Sequence, residues 1–261
     1  MNETLSLLGT RMSLRRYADR TIVPKHKEQI LQCMLRAPTA GNMMLYSVID
    51  VTDPSQKGKL AETCGHPFIA KAPLVLLFLA DLQRWHDYYL SHEIPAYCVK
   101  AKLEFRPPDA GKLLMACCDA LIAAQNAAVA AESLGIGSCY IGDILGAHDQ
   151  HREMFGLPDF VLPITLLCFG YYPDDLERRQ SARFESRYIV FRDQYRRLSG
   201  SASDAMLSGI QAKFADFLSK KQRTLAEQTY RGFTLGETAL EQARSVQQWL
   251  EPWMKAGTFV D

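Results

Sequence analysis

Two arginines and a serine occupy alternate positions near the beginning of the chain, in the pattern Arg11-x-Ser13-x-Arg15. Side chains at alternate positions of an extended segment point to the same side, so all three could converge on one anion. Arginine binds phosphate through a planar, charge-assisted contact, and the serine hydroxyl adds another donor. The segment therefore predicts an anion site. A solvated basic turn is the alternative, and Arg16 and Arg20 are interpreted as ordinary surface charges.

The rest of the sequence offers no familiar catalytic motif. None of the six histidines accompanies a nucleophilic serine or cysteine motif, and there is no G-x-S-x-G and no metal-binding spacing. The Gly135-x-Gly137 pair lacks the third glycine of a dinucleotide fingerprint and precedes a predicted strand instead of a helix. We therefore predict no catalytic side chain and no metal ligand.

The charge balance and the cysteine content indicate which partners and which cellular compartment to expect. The 30 Lys and Arg residues nearly cancel the 29 Asp and Glu residues, so nothing favours nucleic acid or an anionic membrane as a partner. The seven cysteines form no C-x-x-C pair, which indicates reduced, packed thiols. Because no signal-peptide pattern is present at the beginning of the chain, we predict a cytoplasmic protein without a membrane partner.

One long apolar helix is predicted at residues 113–134, and the other elements are organised around it. It is apolar on nearly every face, which is typical of a buried helix, and its polar residues form one narrow stripe. Asp119 and Glu132 on this stripe argue against a membrane span. Gly135 ends the helix, and a short strand follows, in which Gly142 would allow close approach to the backbone.

Helices and strands alternate along the remaining chain. This order predicts an α+β fold with a central mixed or antiparallel sheet flanked by helices, a core at residues 1–200 and a C-terminal helical extension at 201–261. The predicted strands are residues 46–52, 74–79, 139–143, 161–169 and 188–191. The other predicted helices are residues 5–9, 24–37, 56–63, 82–90, 148–155, 204–220 and 238–254.

Four segments, taken in order and at their observed spacing, resemble the nitroreductase family of FMN-dependent oxidoreductases. They cover most of residues 1–200, and the tail is more weakly similar to the branch of NADPH-preferring flavin reductases and larger oxygen-insensitive nitroreductases. The matching segments are residues 11–17, residues 37–42, residues 131–137 with 140–142, and the region of Arg183. The resemblance implies a nitroreductase-like fold and a homodimer with FMN at its interface.

The resemblance also implies a role for individual residues. Arg11, Ser13 and Arg15 match the positions that hold the FMN phosphate and reach toward the ring, and Arg183 matches a late phosphate-binding arginine. His66 matches a position that contacts the pyrimidine end of the ring. The loop formed by Pro38, Thr39, Ala40, Gly41 and Asn42 would approach the flavin of the partner subunit. Tyr140, Ile141, Gly142 and Asp143 would line one face of the isoalloxazine, with a backbone N–H facing flavin N5.

The sequence departs from the family pattern at three positions. Met12 replaces a residue that is often basic, and Leu45 stands near a position that is often polar. Ser181 replaces the second late basic residue, although Arg178 or Arg179 could compensate for it. These changes should leave the phosphate site intact and instead affect the choice of nicotinamide and acceptor.

The resemblance implies an enzyme that transfers a hydride from NAD(P)H to a nitroaromatic, a quinone or a flavin, because FMN itself carries that chemistry. We expect ping-pong kinetics, since no second nucleotide motif is present, and we expect NADPH to be preferred. The apolar central helix supports a homodimer. Two alternatives stay open, namely another enzyme on the same fold, such as a reductase of activated C=C bonds or a dehalogenase, and a non-enzymatic FMN-binding or storage protein.

Overall fold

The computed structural model describes residues 2–255. In that range the chain divides into two compact units, residues 2–178 with 241–255 and residues 179–240. The sequence placed a division at residue 200 instead. Most of the last helix, from residue 241 onward, belongs to the first unit, where Trp249 and Trp253 are buried in the same hydrophobic cluster as the strands.

Four strands of the first unit form a single sheet, with the spatial order β1-β2-β4-β3 and every neighbouring pair antiparallel. An isolated parallel bridge between Ser13 and Ser138 adds a segment to β3. The strands are β1 (Tyr46–Asp50), β2 (Leu74–Asp81), β3 (Ile136–Ile141) and β4 (Val161–Tyr171). The predicted α+β class and sheet are confirmed.

The first unit contains seven α-helices before its last helix. Their order follows the prediction closely, and the proline-marked stretch at residues 91–109 contains one short helix that the sequence did not predict. They are α1 (Glu3–Thr10), α2 (Pro24–Leu35), α3 (Pro54–Thr63), α4 (Gln83–Ser91), α5 (Ile94–Ala101), α6 (Ala110–Ser133) and α7 (His148–Phe155).

The second unit contains α-helices from residue 200 onward, whereas its residues 179–199 form no α-helix. Its helices are α8 (Gly200–Lys213), α9 (Ala215–Lys220) and α10 (Leu225–Tyr230), and α11 (Glu237–Lys255) begins there and continues into the first unit. The predicted helix at 204–220 is therefore two helices, divided at Phe214. The predicted strand at 188–191 is wrong, because Ile189 and Val190 are exposed next to a 3-10 helix and pair with no strand among residues 2–255.

Alternate residues of β2 enter two separate hydrophobic layers, as the pleat of a strand requires. Leu76 and Phe78 face α2 and α6, whereas Val75 and Leu77 face the opposite layer, which contains the tryptophans of α11. All eight residues of β2 are buried. The site described below therefore rests on a sheet that is covered on both faces.

The long helix α6 has two unlike apolar faces. One face is a row of buried alanines packed on α2 and the sheet, while Leu114, Leu121 and Ile122 on the other side are exposed. Burial on every face is thus wrong for a single chain, because one sheet covers only one side of a helix. By length and composition α6 could also cross a membrane. Its acidic residues Asp119 and Glu132 are nevertheless buried against protein partners.

Candidate functional site

The segment that carries the paired arginines runs along the edge strand β3. Leu14 N donates to Ser138 O at 3.0 Å, beside the bridge between Ser13 and Ser138. Further along, Ala18 N donates to Tyr171 O of β4 at 2.9 Å. Because backbone hydrogen bonds hold both ends, the position of the segment depends little on the identity of its exposed side chains.

Two glycines that face each other across β3 and β4 allow this close packing. Gly137 and Gly170 are register partners. A Cβ at Gly170 would lie 2.4 Å from the Tyr17 ring, and a Cβ at Gly137 would lie 2.7 Å from Leu14. Any larger residue at either position would displace the arginine segment from the sheet.

The side chains of the triplet gather around the middle of β3. Arg11 Nη2 donates to Ser138 Oγ at 3.3 Å, and its guanidinium carbon lies 5.9 Å from the centre of the Tyr140 ring. Burial raises the pKa of the Cys139 thiol, while Arg15, Ser13 and Arg11 each act to lower it. All three predicted residues therefore lie near one point of the strand.

Two arginines of this segment have partners at the surface, and the other two lack an acidic partner in the described part of the chain. Arg16 pairs with Asp175 at 2.9 Å, and Arg20 lies 3.7 Å over the Tyr171 ring, as expected for surface charges. Neither Arg11 nor Arg15 has an acidic partner within residues 2–255. Arg11 Nε is moreover buried without any hydrogen-bond partner in that range. A buried guanidinium N–H that lacks an acceptor suits an anionic ligand.

The end of β3 offers two further free donors. In the described part of the chain, neither Gly142 N–H nor Asp143 N–H donates to a protein acceptor. Apart from Gly142 itself and its two neighbours in the chain, no atom of residues 2–255 lies within 4 Å of the position that a Cβ of Gly142 would occupy. The half-buried His66 reaches this point, where its Nε2 lies 3.1 Å from Asp143 Oδ2. The structure thus brings together His66 and Asp143, two residues that the sequence assigned to the cofactor.

A buried carboxylate of α6 fixes the predicted loop of Pro38, Thr39, Ala40, Gly41 and Asn42. Asp119 Oδ1 accepts from Ala40 N at 3.0 Å, and Asp119 Oδ2 accepts from Leu45 N at 3.1 Å and from the Thr39 hydroxyl. Thr39 Oγ1 in turn accepts from Met44 N at 2.9 Å. Gly41 and Asn42 have positive φ angles of 57° and 58°, so the loop is tightly turned.

The late arginines take different positions. Arg178 Nη1 donates to Glu132 Oε1 at 3.0 Å and stacks 3.9 Å over the Tyr172 ring, so the buried Glu132 holds it. Arg183 lies in the second unit, where it is exposed and donates to the carbonyls of Ser181 and Ala182. The assignment of Arg183 to a phosphate thus stays a prediction.

Two cavities adjoin the predicted residues. One, of about 590 Å³, is lined by Arg15, Arg16, Tyr17, Ala18, Asp19, Pro67, Phe68 and Lys71. The other, of about 440 Å³, lies beyond the loop at residues 39–45 and includes Met43, Trp85 and Tyr89. Both volumes fall in the range typical of ligand pockets.

The sequence did not reveal the buried side chains that hold the loops and Arg178 in position. Asp119 and Glu132 were read only as a polar stripe, yet each is a buried carboxylate with named partners. Their signal was available, since an acidic residue within an apolar helix requires a partner. The contact between Gln242 and Gly142 carried no such signal, because it joins positions 100 residues apart.

The fold and this arrangement define a class of α+β protein with a candidate anion-binding site at the edge of its sheet. The chain belongs to the Nitroreductase family, whose model matches residues 8–171. It is 30% identical over 203 residues to the FMN reductase (NADPH) of Bacillus subtilis, covering 75% of this chain and 78% of that protein. It is 25% identical over 239 residues to the NADPH-flavin oxidoreductase of Vibrio harveyi, covering 91% and 93%.

A solved structure extends the likeness to nearly the whole fold. Nitroreductase A from Vibrio parahaemolyticus superposes with a TM-score of 0.77 at 25% identity, and the match covers 95% of this chain and 98% of that one. The match therefore extends beyond the 8–171 range of the family model.

Proposed function

We propose that this protein is an FMN-dependent oxidoreductase that takes a hydride from NAD(P)H and delivers it to a small acceptor such as a nitroaromatic, a quinone or a flavin. The observation that carries the proposal is the pair Arg11 and Arg15, which lack acidic partners within residues 2–255 and lie against β3. Family membership and the named flavin reductases among its relatives support the same reaction.

The groups in the structure fit FMN. Arg11, Ser13 and Arg15 would hold its phosphate, and Arg11 Nε is already buried and in need of an acceptor. The open side of Gly142 leaves room for a flat ring, and the free N–H groups of Gly142 and Asp143 could donate to its nitrogen and oxygen atoms. The bound flavin would supply the hydride chemistry, so the protein needs to bind, orient and tune it.

An absorption spectrum and three variants test whether the protein binds FMN as proposed. The purified protein should show the visible bands of bound flavin. Arg11→Ala should weaken FMN binding about 10- to 100-fold, because a lost charge-assisted contact costs about 1.5–3 kcal/mol. Arg16→Ala, which removes an arginine already paired with Asp175, is the matched control and should bind FMN like the wild type. Equal affinity in both variants would reject the phosphate assignment, and Arg183→Ala tests the late arginine in the same titration.

The reaction should follow a ping-pong scheme with NADPH as the preferred reductant. If one pocket over the flavin serves both substrates, the oxidised nucleotide must leave before the acceptor enters. The names of the relatives favour NADPH. Varying both substrates should give parallel double-reciprocal lines, whereas intersecting lines would show a ternary complex. Absence of turnover with either nicotinamide, despite bound FMN, would favour a flavin-binding or storage role.

A second copy of the chain should cover the exposed face of α6. Leu114, Leu121 and Ile122 are 69%, 45% and 39% exposed, and Leu5 and Leu8 of the neighbouring α1 are also exposed. Such an apolar area suits a homodimer interface. Light scattering should give twice the chain mass for the wild type and for Leu121→Met, and a smaller mass for Leu121→Glu. A wild-type monomer at micromolar concentration that still holds FMN would exclude the dimer.

We place the protein in the cytoplasm. All seven cysteines are unpaired, which fits a reducing compartment. Cell fractionation followed by detection of the protein tests this placement, and recovery in a membrane or secreted fraction would contradict it.

A further inference from the structure

The last helix binds the loop that follows β3 through four backbone groups. This loop, residues 142–148, carries the free N–H donors of the candidate site, and the side chains that hold it lie on one face of α11. Gln242 Nε2 donates to Gly142 O at 3.0 Å, Trp249 Nε1 donates to Leu145 O at 3.2 Å, Glu241 Oε1 accepts from Ala147 N at 3.2 Å, and Ser245 Oγ accepts from His148 N at 3.1 Å.

The side chains on α11 are themselves held in place. Hydrogen bonds from Arg244 and Ser245 lower the pKa of Glu241 to about 2, so its carboxylate is ionised at neutral pH. Ala147, which donates to that carboxylate, has a positive φ of 49°, a conformation that an alanine adopts only when neighbouring contacts impose it. The contacts with α11 therefore hold the loop in a shape that its own backbone would not favour.

Gln242 donates to the peptide between Gly142 and Asp143, which carries one of the free N–H groups of the candidate site. Gly142 O and Asp143 N–H belong to one trans peptide, in which the C=O and N–H bonds point in opposite directions. Gly142 O accepts from Leu145 N at 3.1 Å along the loop and from Gln242 across it. With the carbonyl tied toward α11, the Asp143 N–H must point away from that helix, and it has no acceptor in the described part of the chain.

We propose that Gln242 is a positioning residue that orients the Asp143 N–H toward the flavin, so that α11 sets the geometry of a site about 100 residues earlier in the chain. The inference rests on the proposed FMN function. The residues assigned to FMN so far, the arginine triplet and the predicted loops, include none from the C-terminal helix. The proposal gives that helix a role in the site.

Hydrogen exchange tests the contact without any cofactor. Gln242→Met keeps the length of the side chain but removes the donor. Gln247→Met makes the same exchange at an exposed glutamine of α11 that forms no side-chain hydrogen bond with residues 2–255. The Leu145 amide, which bonds to Gly142 O, should exchange about 3- to 10-fold faster in Gln242→Met than in Gln247→Met, because one of the two bonds that fix this carbonyl is gone. Equal exchange in the two variants would overturn the proposal.

A spectroscopic arm tests the link to the flavin. With FMN labelled with ¹⁵N, the N5 resonance of Gln242→Met should move downfield as the hydrogen bond to this nitrogen weakens, and the FMN dissociation constant should rise about 3- to 10-fold. Gln247→Met should match the wild type in both. If every protein binds FMN with the same N5 resonance, the positioning role is overturned while the proposed function stands. If the wild type does not bind FMN, the proposed function fails, and the positioning role toward a flavin fails with it.

Discussion

Two loops that contain residues assigned to the flavin by the family resemblance, residues 39–45 and 142–148, are held in different ways. Most donors of loop 39–45 share one buried acceptor, since Asp119 accepts from two of its backbone N–H groups and from one of its hydroxyls. On the acceptor side, Met43 O accepts from Trp85 Nε1 at 3.0 Å and Leu45 O accepts from Asp81 N at 3.0 Å. Loop 142–148 is held by α11 at four backbone groups, by His66 at the Asp143 carboxylate and by His151 at the Ile144 carbonyl.

This difference determines how each loop loses its order when an anchoring side chain is replaced. A loop whose donors share one buried acceptor loses several hydrogen bonds when that acceptor is removed, because all of these donors are left unsatisfied at once. A loop with anchors on several elements loses a fraction of its order with each change, and neighbouring anchors compensate or couple. The first loop should therefore respond to substitution in a single step, and the second gradually.

The largest effect is expected at Asp119. Asp119→Ala removes the shared acceptor of Ala40 N, Leu45 N and the Thr39 hydroxyl, and should lower the free energy of unfolding by about 3 kcal/mol. Amide exchange should rise throughout residues 39–45. Denaturant unfolding and hydrogen exchange measure the two effects.

Asp119→Asn serves as the matched comparison, because one oxygen acceptor remains and the volume is unchanged. It should cost about half as much as the alanine variant. If Asp119→Ala costs less than about 1 kcal/mol, the contacts from Trp85 and Asp81 are sufficient to hold the loop, and the contrast between the two loops disappears.

A smaller, shared effect is expected on α11. Ser245→Ala leaves the buried His148 N–H without its acceptor and should cost about 1–2 kcal/mol, whereas Glu241→Gln, at an exposed ion pair, should cost less than about 1 kcal/mol. Because Ser245 Oγ also donates to Glu241 Oε1 at 2.8 Å, the double variant should depart from additivity by at least about 0.5 kcal/mol. Strict additivity in a denaturant series would show that the two anchors act independently.

The subtlest expected effect is a pH dependence that arises near the second loop. Burial lowers the pKa of His151, whose Nδ1 donates to Ile144 O while its Nε2 accepts from Thr63. The unfolded chain therefore takes up this proton before the folded protein does. The free energy that neutral His151 contributes to the stability of the folded protein is fully present above about pH 6.5. It is lost as the pH falls toward the lowered pKa of His151 in the folded state.

The melting temperature of the wild type should therefore decline as the pH falls below about 6.5. His151→Asn, which keeps a donor for Ile144 O but cannot be protonated, should be less stable at neutral pH and should decline less steeply with acidification. Parallel curves for the two proteins would assign the pH dependence to other groups.

Elements whose signals are local were predictable from the sequence. The buried strands β2 and β4 are continuous apolar runs, and α7 begins and ends at the predicted residues. The strand at 188–191 failed for a physical reason, because a β-branched, aromatic run forms a strand only when a neighbouring strand accepts its hydrogen bonds. A propensity pattern contains no information on whether such a neighbour exists.

The sequence predicted which residues form the candidate site, and that assignment stays a prediction, but it did not predict the residues that support them. The alternate spacing of Arg11, Ser13 and Arg15 indicated a common anion, and the structure places all three near Cys139. The glycine pair at 137 and 170, the carboxylate of Asp119 and the donor of Gln242 all act across long sequence separations. Tertiary packing decides which distant residue contacts which loop. A single sequence contains no local pattern from which such contacts can be predicted.

The separation between loop 142–148 and α11 also sets an order of events during synthesis. A ribosome adds about 5–20 residues per second, so the 100 residues between Gly142 and Gln242 correspond to about 5–20 s. During that interval the nascent sheet lacks Trp249 and Trp253, and the strained Ala147 has no carboxylate to hold it. The loop can therefore reach its final conformation only after α11 has left the ribosome, however early the arginine segment has joined β3.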